Sequence, residues 1–286
     1  MTLEKHRVRQ NFNRSASLYA DRAVVAREVG RRLLEHFEFL KIQPTRILDL
    51  GAGTGFAGDE LHRLFPQATL ISLDLSDALL RANPWQPPPW WRPFAPPDTR
   101  FAVCASAEQI PLQNASVGLV WSNLMLPWCA HDAVLREVYR VLEPDGLFMF
   151  STLGPDTLKE LRLAFAAQGE GPARVLDFAD MHDVGDALVH AGFANPVMDR
   201  EDLQVTYPDI ASLVRDLRHT GGSNALAGRP RGLTGRMRWR AVTTVYEQLR
   251  EGGVLPATFE IVYGHAWKPA PRKTPDGRPI IEVRPA

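Results

Sequence analysis

Apolar and polar positions along this chain switch repeatedly between a helical and a strand period. Between residues 3 and 40, Leu18, Val25, Val29, Leu33, Leu34 and Phe37 form the apolar stripe of an amphipathic helix. Asn13, Ser15 and Ser17 interrupt its first part, so the pattern predicts two helices with a break near Arg14. An apolar run from Arg46 to Leu50 then predicts a buried strand. It is followed by a helix over 56–65, a strand over 69–74 and a short helix over 76–82. Strands over 101–104 and 117–122 come next, then a helix over 131–142, a turn from Glu143 to Gly146 and a strand over 147–153. Such β-α repetition argues an α/β fold: a parallel sheet with helices on both faces.

Further along, Pro155 after Gly154 predicts a helix start, with the helix running to about Ala167. Another helix runs from Asp180 to Ala191 and is closed by Gly192. Residues 196–207 read as extended, 208–252 as helical at each end, and 258–267 as a late strand. The stretch 83–99 holds seven prolines together with Trp85, Trp90, Trp91 and Phe94, which predicts a surface excursion. The expected organisation is an N-terminal helical segment (1–44), an α/β core (45–207, completed by strand 257–268), a helical cap (208–256) and a mobile tail (269–286).

The first strand ends in Gly51, Gly53 and Gly55 and leads straight into a helix. Glycines at such a turn let bare backbone N–H groups approach a ligand, because no Cβ stands in the way. Gly53, Gly55 and Gly58 also satisfy the dinucleotide spacing G-x-G-x-x-G. Two acids separate the readings. Asp49 lies inside the strand, where dinucleotide sites carry an apolar residue, and Asp74 ends the next strand, 19 residues after Gly55, where a ribose-binding carboxylate belongs. The unit resembles the first motif of the seven-stranded S-adenosylmethionine (SAM) methyltransferases.

That resemblance implies a seven-stranded, mostly parallel, Rossmann-like sheet with SAM held by Asp49, Gly51, Gly53, Gly55 and Asp74. It also implies that Leu75 covers the adenine and that Ser106 and Ala107 grip it. Ser106 departs from the family's aspartate. Ligands of open α/β sheets sit beyond the carboxyl ends of the strands, which puts Asn123 and Trp128 over the methyl group. No nucleophile triad or metal-ligand spacing appears, and the lone residues His182 and His265 read as structural. Methyl transfer to an oxygen that is already anionic needs alignment and desolvation rather than a base.

Composition adds little to this picture and removes several alternatives. With 286 residues, 45% hydrophobic and 23% charged, the chain can bury a full core. A net charge of zero implies no bulk attraction to nucleic acid or to a membrane surface. No apolar run reaches spanning length, and Met1 to Arg14 lacks the apolar region of a signal peptide, which makes the cytoplasm the expected compartment. Cys104 and Cys129 form neither a metal motif nor a disulfide framework. Of the 33 basic residues only five are Lys, so the cluster Arg229, Arg231, Arg236, Arg238 and Arg240 stands on an Arg-rich background.

A narrower likeness covers about residues 6 to 268. Val8 to Ala23, Ser122 to Leu124 with Trp128 and Cys129, Ser151 to Leu158, Met181 to Asp186, Asn224 to Arg229 and Pro256 to Tyr263 resemble blocks of the malonyl-[acyl-carrier protein] O-methyltransferases of biotin synthesis. The later blocks also resemble arginine-hydroxylating assembly factors of respiratory complex I, and a SAM-binding scaffold without catalysis is a third possibility. The first likeness implies methylation of a free malonyl carboxylate on an acidic carrier protein. Tyr19, Asn123 and Trp128 would border the reacting groups. Arg229 is the first choice for the acceptor's carboxylate or phosphate, with Arg14 second.

Overall fold

The computed structural model describes residues 2–85, 99–169, 174–229, 232 and 235–271. Most of the Pro/Trp-rich stretch (86–98) and the tail from 272 onward lie outside the described residues. Seven strands form one sheet: β1 (Arg46–Leu50), β2 (Thr69–Asp74), β3 (Arg100–Cys104), β4 (Val117–Asn123), β5 (Leu142–Leu153), β6 (Ala194–Tyr207) and β7 (Leu255–Trp267). Their order is β3-β2-β1-β4-β5-β7-β6. The first five run parallel, and β7 is antiparallel to both β5 and β6.

Central strands of such a sheet are apolar on both faces because helices cover both. Along β1, Ile47 packs with Val29, Leu33, Leu61 and Trp121 on one face, while Leu48 and Leu50 join Val120, Leu135, Phe148 and Leu188 on the other. The first face is covered by α2 (Val24–Glu35) and α3 (Phe56–Leu64), the second by α5 (His131–Val141) and α7 (Met181–Ala191). Each such side chain contributes on the order of 2 kcal/mol by leaving water. Asp49 is the exception in β1: it is buried between Ser72 of β2 and Trp121 of β4.

The remaining helices are α1 (Lys5–Arg22), α4 (Asp77–Arg81), α6 (Lys159–Ala166), α8 (Ile210–His219) and α9 (Arg236–Glu247). The turn expected from Glu143 to Gly146 falls inside β5, where Asp145 has φ +60°. Two further boundaries differ from the pattern. α1 runs unbroken past Arg14 and stops at Ala23. Its polar residues find partners without breaking the helix: the Ser15 hydroxyl donates to the Phe12 carbonyl at 3.0 Å, and Asn13 accepts from the hydroxyl of Ser76, the N-cap of α4, at 2.6 Å.

The second difference is at Pro155, where no helix begins; α6 starts only at Lys159. The intervening N–H groups bond β7 instead, Asp156 to the Glu260 carboxylate at 2.6 Å and Leu158 to the Thr258 carbonyl at 2.7 Å, with Leu158 left-handed at φ +55°. Gly154 is required here, since a Cβ would stand 2.4 Å from Glu260 Cδ. The two late blocks around Gly154 and Glu260 therefore knit the segment after β5 to β7.

The N-terminal segment crosses the carboxyl ends of the strands. Leu3 pairs with Leu226 in an antiparallel bridge, Asn11 donates to the Ser223 carbonyl at 2.7 Å, and α1 packs on α4 and α8. Among the described residues no helix is long and apolar enough to cross a membrane.

Candidate active site

Beyond the carboxyl ends of β1, β2 and β4, under α1, lies a cavity of about 510 Å³. The turn after β1 forms its floor. Gly51, Gly53 and Gly55 have φ of +82°, +56° and +79°, a region that L side chains rarely enter. At Gly51 there is also no room: a Cβ would sit 2.5 Å from Met125 Cβ. Gly51 and Gly53 line the cavity, whereas Gly55 opens α3 against the Asn83 side chain.

Asp74 lines the cavity at the end of β2, with its carboxylate accepting from the Gly53 N–H at 2.9 Å and the Ser76 N–H at 2.7 Å. Burial raises its pKa, and the two N–H groups oppose that rise. Asp49 does not line the cavity. It lies behind the turn, with Oδ2 buried and without a hydrogen-bond partner, and burial together with the charge of Asp74 pushes its carboxyl up to about 7. Leu75, Ser106 and Ala107 continue the wall from Asp74. Lys5 of α1 crosses to this wall, paired with Glu108 and 3.3 Å from the Ser106 hydroxyl.

Tyr19, Asn123 and Trp128 all line the cavity, yet they differ in freedom. The Asn123 side chain is held at both ends, its amide donating to the Ala26 carbonyl at 2.8 Å and its oxygen accepting from Ser151 at 2.7 Å. It ties α2 to β4. Leu124 follows at φ +52°, a conformation costing on the order of 1–3 kcal/mol, and turns the chain toward Trp128. Phe12 meets Trp128 edge to face at 5.3 Å and Tyr19 at 6.2 Å, so α1 closes an aromatic wall. Burial, with Asp74 adding its charge, pushes the Tyr19 phenol up to about 12; burial and Glu108 push the Cys129 thiol to about 12. Both stay protonated.

Neither expected arginine lines the cavity. Arg229 pairs with Glu4 at 3.0 Å and donates to the Leu226 carbonyl at 2.7 Å, because Thr2 to Glu4 dock along the 225–227 strip. It fastens the N-terminus. Arg14 is exposed on α1 and is not part of the lining. The cations that do line the cavity are Lys5, Arg22 and Arg215, none of them among the sequence candidates. A trace of the wall was available in the stripe Val8, Phe12, Tyr19 and Ala23, which faces the cavity at helical spacing. His182 pairs with Asp180, the N-cap residue of α7, and His265 sits in β7 near His36; neither lines the cavity. Among the described residues no group of three or more His, Cys, Asp or Glu could hold a metal ion.

The sheet order, the glycine turn at the end of β1 and the acid at the end of β2 define a SAM-dependent methyltransferase of class I. A family model described as a methyltransferase domain matches residues 48–150. The fold is shared with the YcgJ protein of Bacillus subtilis (TM-score 0.57, 13% identity, 84% of this chain and 99% of that one). It is shared too with a SAM-dependent methyltransferase of Thermotoga maritima (TM-score 0.51, 14% identity, 91% and 99%). The malonyl-[acyl-carrier protein] O-methyltransferase of Gallionella capsiferriformans is 48% identical over 282 residues, 98% of this chain and 97% of its own. That of Laribacter hongkongensis is 48% identical over 289 residues, 99% and 96% respectively. The chain belongs to the malonyl-[acyl-carrier protein] O-methyltransferase family.

S-adenosyl-L-methionine is the cofactor of this class. The residues present fit it. The turn leaves backbone open where a Cβ would intrude, the Asp74 carboxylate lines the cavity at the end of β2 as a hydroxyl acceptor could, and the orphaned Asp49 Oδ2 lies behind the turn.

Proposed function

We propose that this chain methylates the free carboxylate of a malonyl thioester carried on acyl carrier protein, as a cytoplasmic step of biotin synthesis. The observation that carries this reading is the absence of a free base among the described residues that line the cavity. Tyr19 and Cys129 are neutral, Asp74 is committed to two N–H groups, and Asp216 faces Arg22 at 3.8 Å. An oxygen acceptor must therefore arrive already ionised, as a carboxylate does. The near-full-length likeness to enzymes named for malonyl-carrier methylation supplies the acceptor's identity.

In this reading the Gly51–Gly53 backbone, Asp74, Leu75, Ser106 and Ala107 hold SAM, and Asp49 braces the turn from behind. When bound, SAM supplies a methyl group on a sulfonium centre. Phe12, Tyr19 and Trp128 exclude water, and a charge-neutralising transfer gains from a dry site. Asn123 positions α2 over β4 rather than touching the reacting atoms. The basic cap residues Arg236, Arg238 and Arg240 offer a rim to an acidic carrier.

A growth test examines the proposal. A biotin-requiring bacterial strain that lacks its own malonyl-carrier methyltransferase should grow without biotin when it expresses this chain. Failure to grow, with the protein folded and stabilised by S-adenosylhomocysteine, would remove the acceptor assignment. A hydroxylated arginine on a respiratory subunit would move the chain to the assembly-factor reading.

A further inference from the structure

The cavity carries opposite charge at its two ends. At the glycine turn the lining acid is Asp74, and the nearby cation Lys5 is cancelled by Glu108. At the far end α8 and the end of β6 supply Thr206, Ser212, Arg215 and Asp216, and α1 supplies Arg22. Arg22 and Asp216 face each other at 3.8 Å. Arg215 makes no ion pair within 4.0 Å among the described residues. Its electrostatic neighbour is Asp209, the exposed N-cap of its own helix, whose carboxylate already accepts from the Ser212 N–H at 2.7 Å. One negative charge therefore remains at one end of the cavity and one positive charge at the other.

We propose that Arg215 is the residue that reads the acceptor's anion, in place of Arg229. The inference rests on the methyltransferase reading above and names the residue that selects its acceptor. A guanidinium on a cavity wall can fork onto the two oxygens of a carboxylate or a phosphodiester. Arg229 cannot serve, because Glu4 already occupies it. Arg22 is a weaker candidate, because Asp216 offsets its charge. The polarity also suits the chemistry: a cationic methyl donor meets the acidic end and an anionic acceptor the basic end. A neutral ester product would lose its hold there and leave.

Two anions on the acceptor share this chemistry, the acyl carboxylate and the phosphodiester of a carrier-linked pantetheine arm. Initial rates should be measured for wild type, Arg215→Gln and Arg215→Lys. The acceptors are malonyl-pantetheine, which has no phosphate, malonyl-phosphopantetheine and malonyl-acyl carrier protein. Arg215→Gln should raise KM by about tenfold or more with little change in kcat, and Arg215→Lys should recover part of the loss. The stabilisation by S-adenosylhomocysteine should be equal in all three proteins. A defect already present with malonyl-pantetheine assigns the carboxylate; a defect appearing only with phosphate-bearing acceptors assigns the phosphodiester. Wild-type KM values for Arg215→Gln on all three acceptors would overturn the inference while leaving the function intact. A reduced S-adenosylhomocysteine effect would also overturn it, since the residue would then serve the cofactor end. A wild type that methylates none of the three overturns the underlying reading, and the inference with it.

Discussion

At one end of the cavity, Gly51, Gly53, Asp74 and Leu75 come from neighbouring strands and the turns that end them. At the other, Arg22 comes from α1 and Thr206, Ser212 and Arg215 from a segment far along the chain, brought together where α1 packs on α8. The first end is held by backbone geometry: positive φ at the glycines and N–H groups on Asp74. The second is held by side-chain pairing across separate segments, Arg22 of α1 with Asp216 of α8. A cofactor site made of backbone tolerates little change, whereas an acceptor site made of side chains on a cap can be retuned. The difference predicts where substitutions remove binding and where they only shift it.

The largest effect should come from Gly51→Ala. A left-handed φ of +82° and a Cβ at 2.5 Å from Met125 Cβ combine backbone strain with a collision. Loss of about 3 kcal/mol of stability is expected in urea unfolding, with loss of SAM binding. A fully stable variant would show that the turn relaxes and that the cofactor end is not rigid.

Asp74→Ala comes next. It removes the acceptor of two N–H groups and a cavity-lining carboxylate together. Calorimetry should find SAM binding weakened by about 100-fold, near 2.7 kcal/mol, while KM for the acceptor changes little. An unchanged Kd for SAM would detach Asp74 from the cofactor.

Acid–base behaviour separates the ends further. Burial raises Asp49 from 3.8 in the open chain to about 7 in the folded one. Between those values the folded chain holds a proton that the unfolded chain has released, so stability falls as pH rises through that window. Asp49→Asn should remove this fall in unfolding titrations of the cofactor-free protein; an unaltered pH profile would contradict it.

The smallest effect belongs to the N-terminal fastening. Arg229, first by its hydrogen bond and then by its charge, holds the Glu4 carboxyl below its ordinary 4.5. The pair's contribution is therefore present above that value and lost as pH falls through the lower folded one. Arg229→Gln should lower the melting temperature modestly at neutral pH, flatten the acid limb and leave kcat at saturating substrates unchanged. A large fall in kcat with malonyl-pantetheine would return Arg229 to the substrate.

The strand, glycine turn, helix and following acid were legible because each is local: the apolar run ends at Leu50, the turn glycines follow, and Asp74 closes the next strand. The parallel core followed from the same alternation. Non-local pairings were not legible. Asn13 reads as a helix interruption until Ser76 is brought beside it, and Pro155 reads as a helix start until β7 claims the next N–H groups. Arg229 reads as a free cation until Glu4 docks on it, and Arg215 is one arginine among 28 until α8 turns it toward the cavity.

The most direct test of the account is an acceptor series with labelled SAM. Malonyl-acyl carrier protein, its methyl ester and acetyl-acyl carrier protein would be incubated with the wild-type enzyme and resolved by intact-protein mass spectrometry. The expected result is one added methyl on the malonyl carrier, lost together with the acyl group when the thioester is cleaved, and none on the other two. Methylation of the acetyl carrier, or of the carrier protein itself, would contradict a site that takes a free carboxylate.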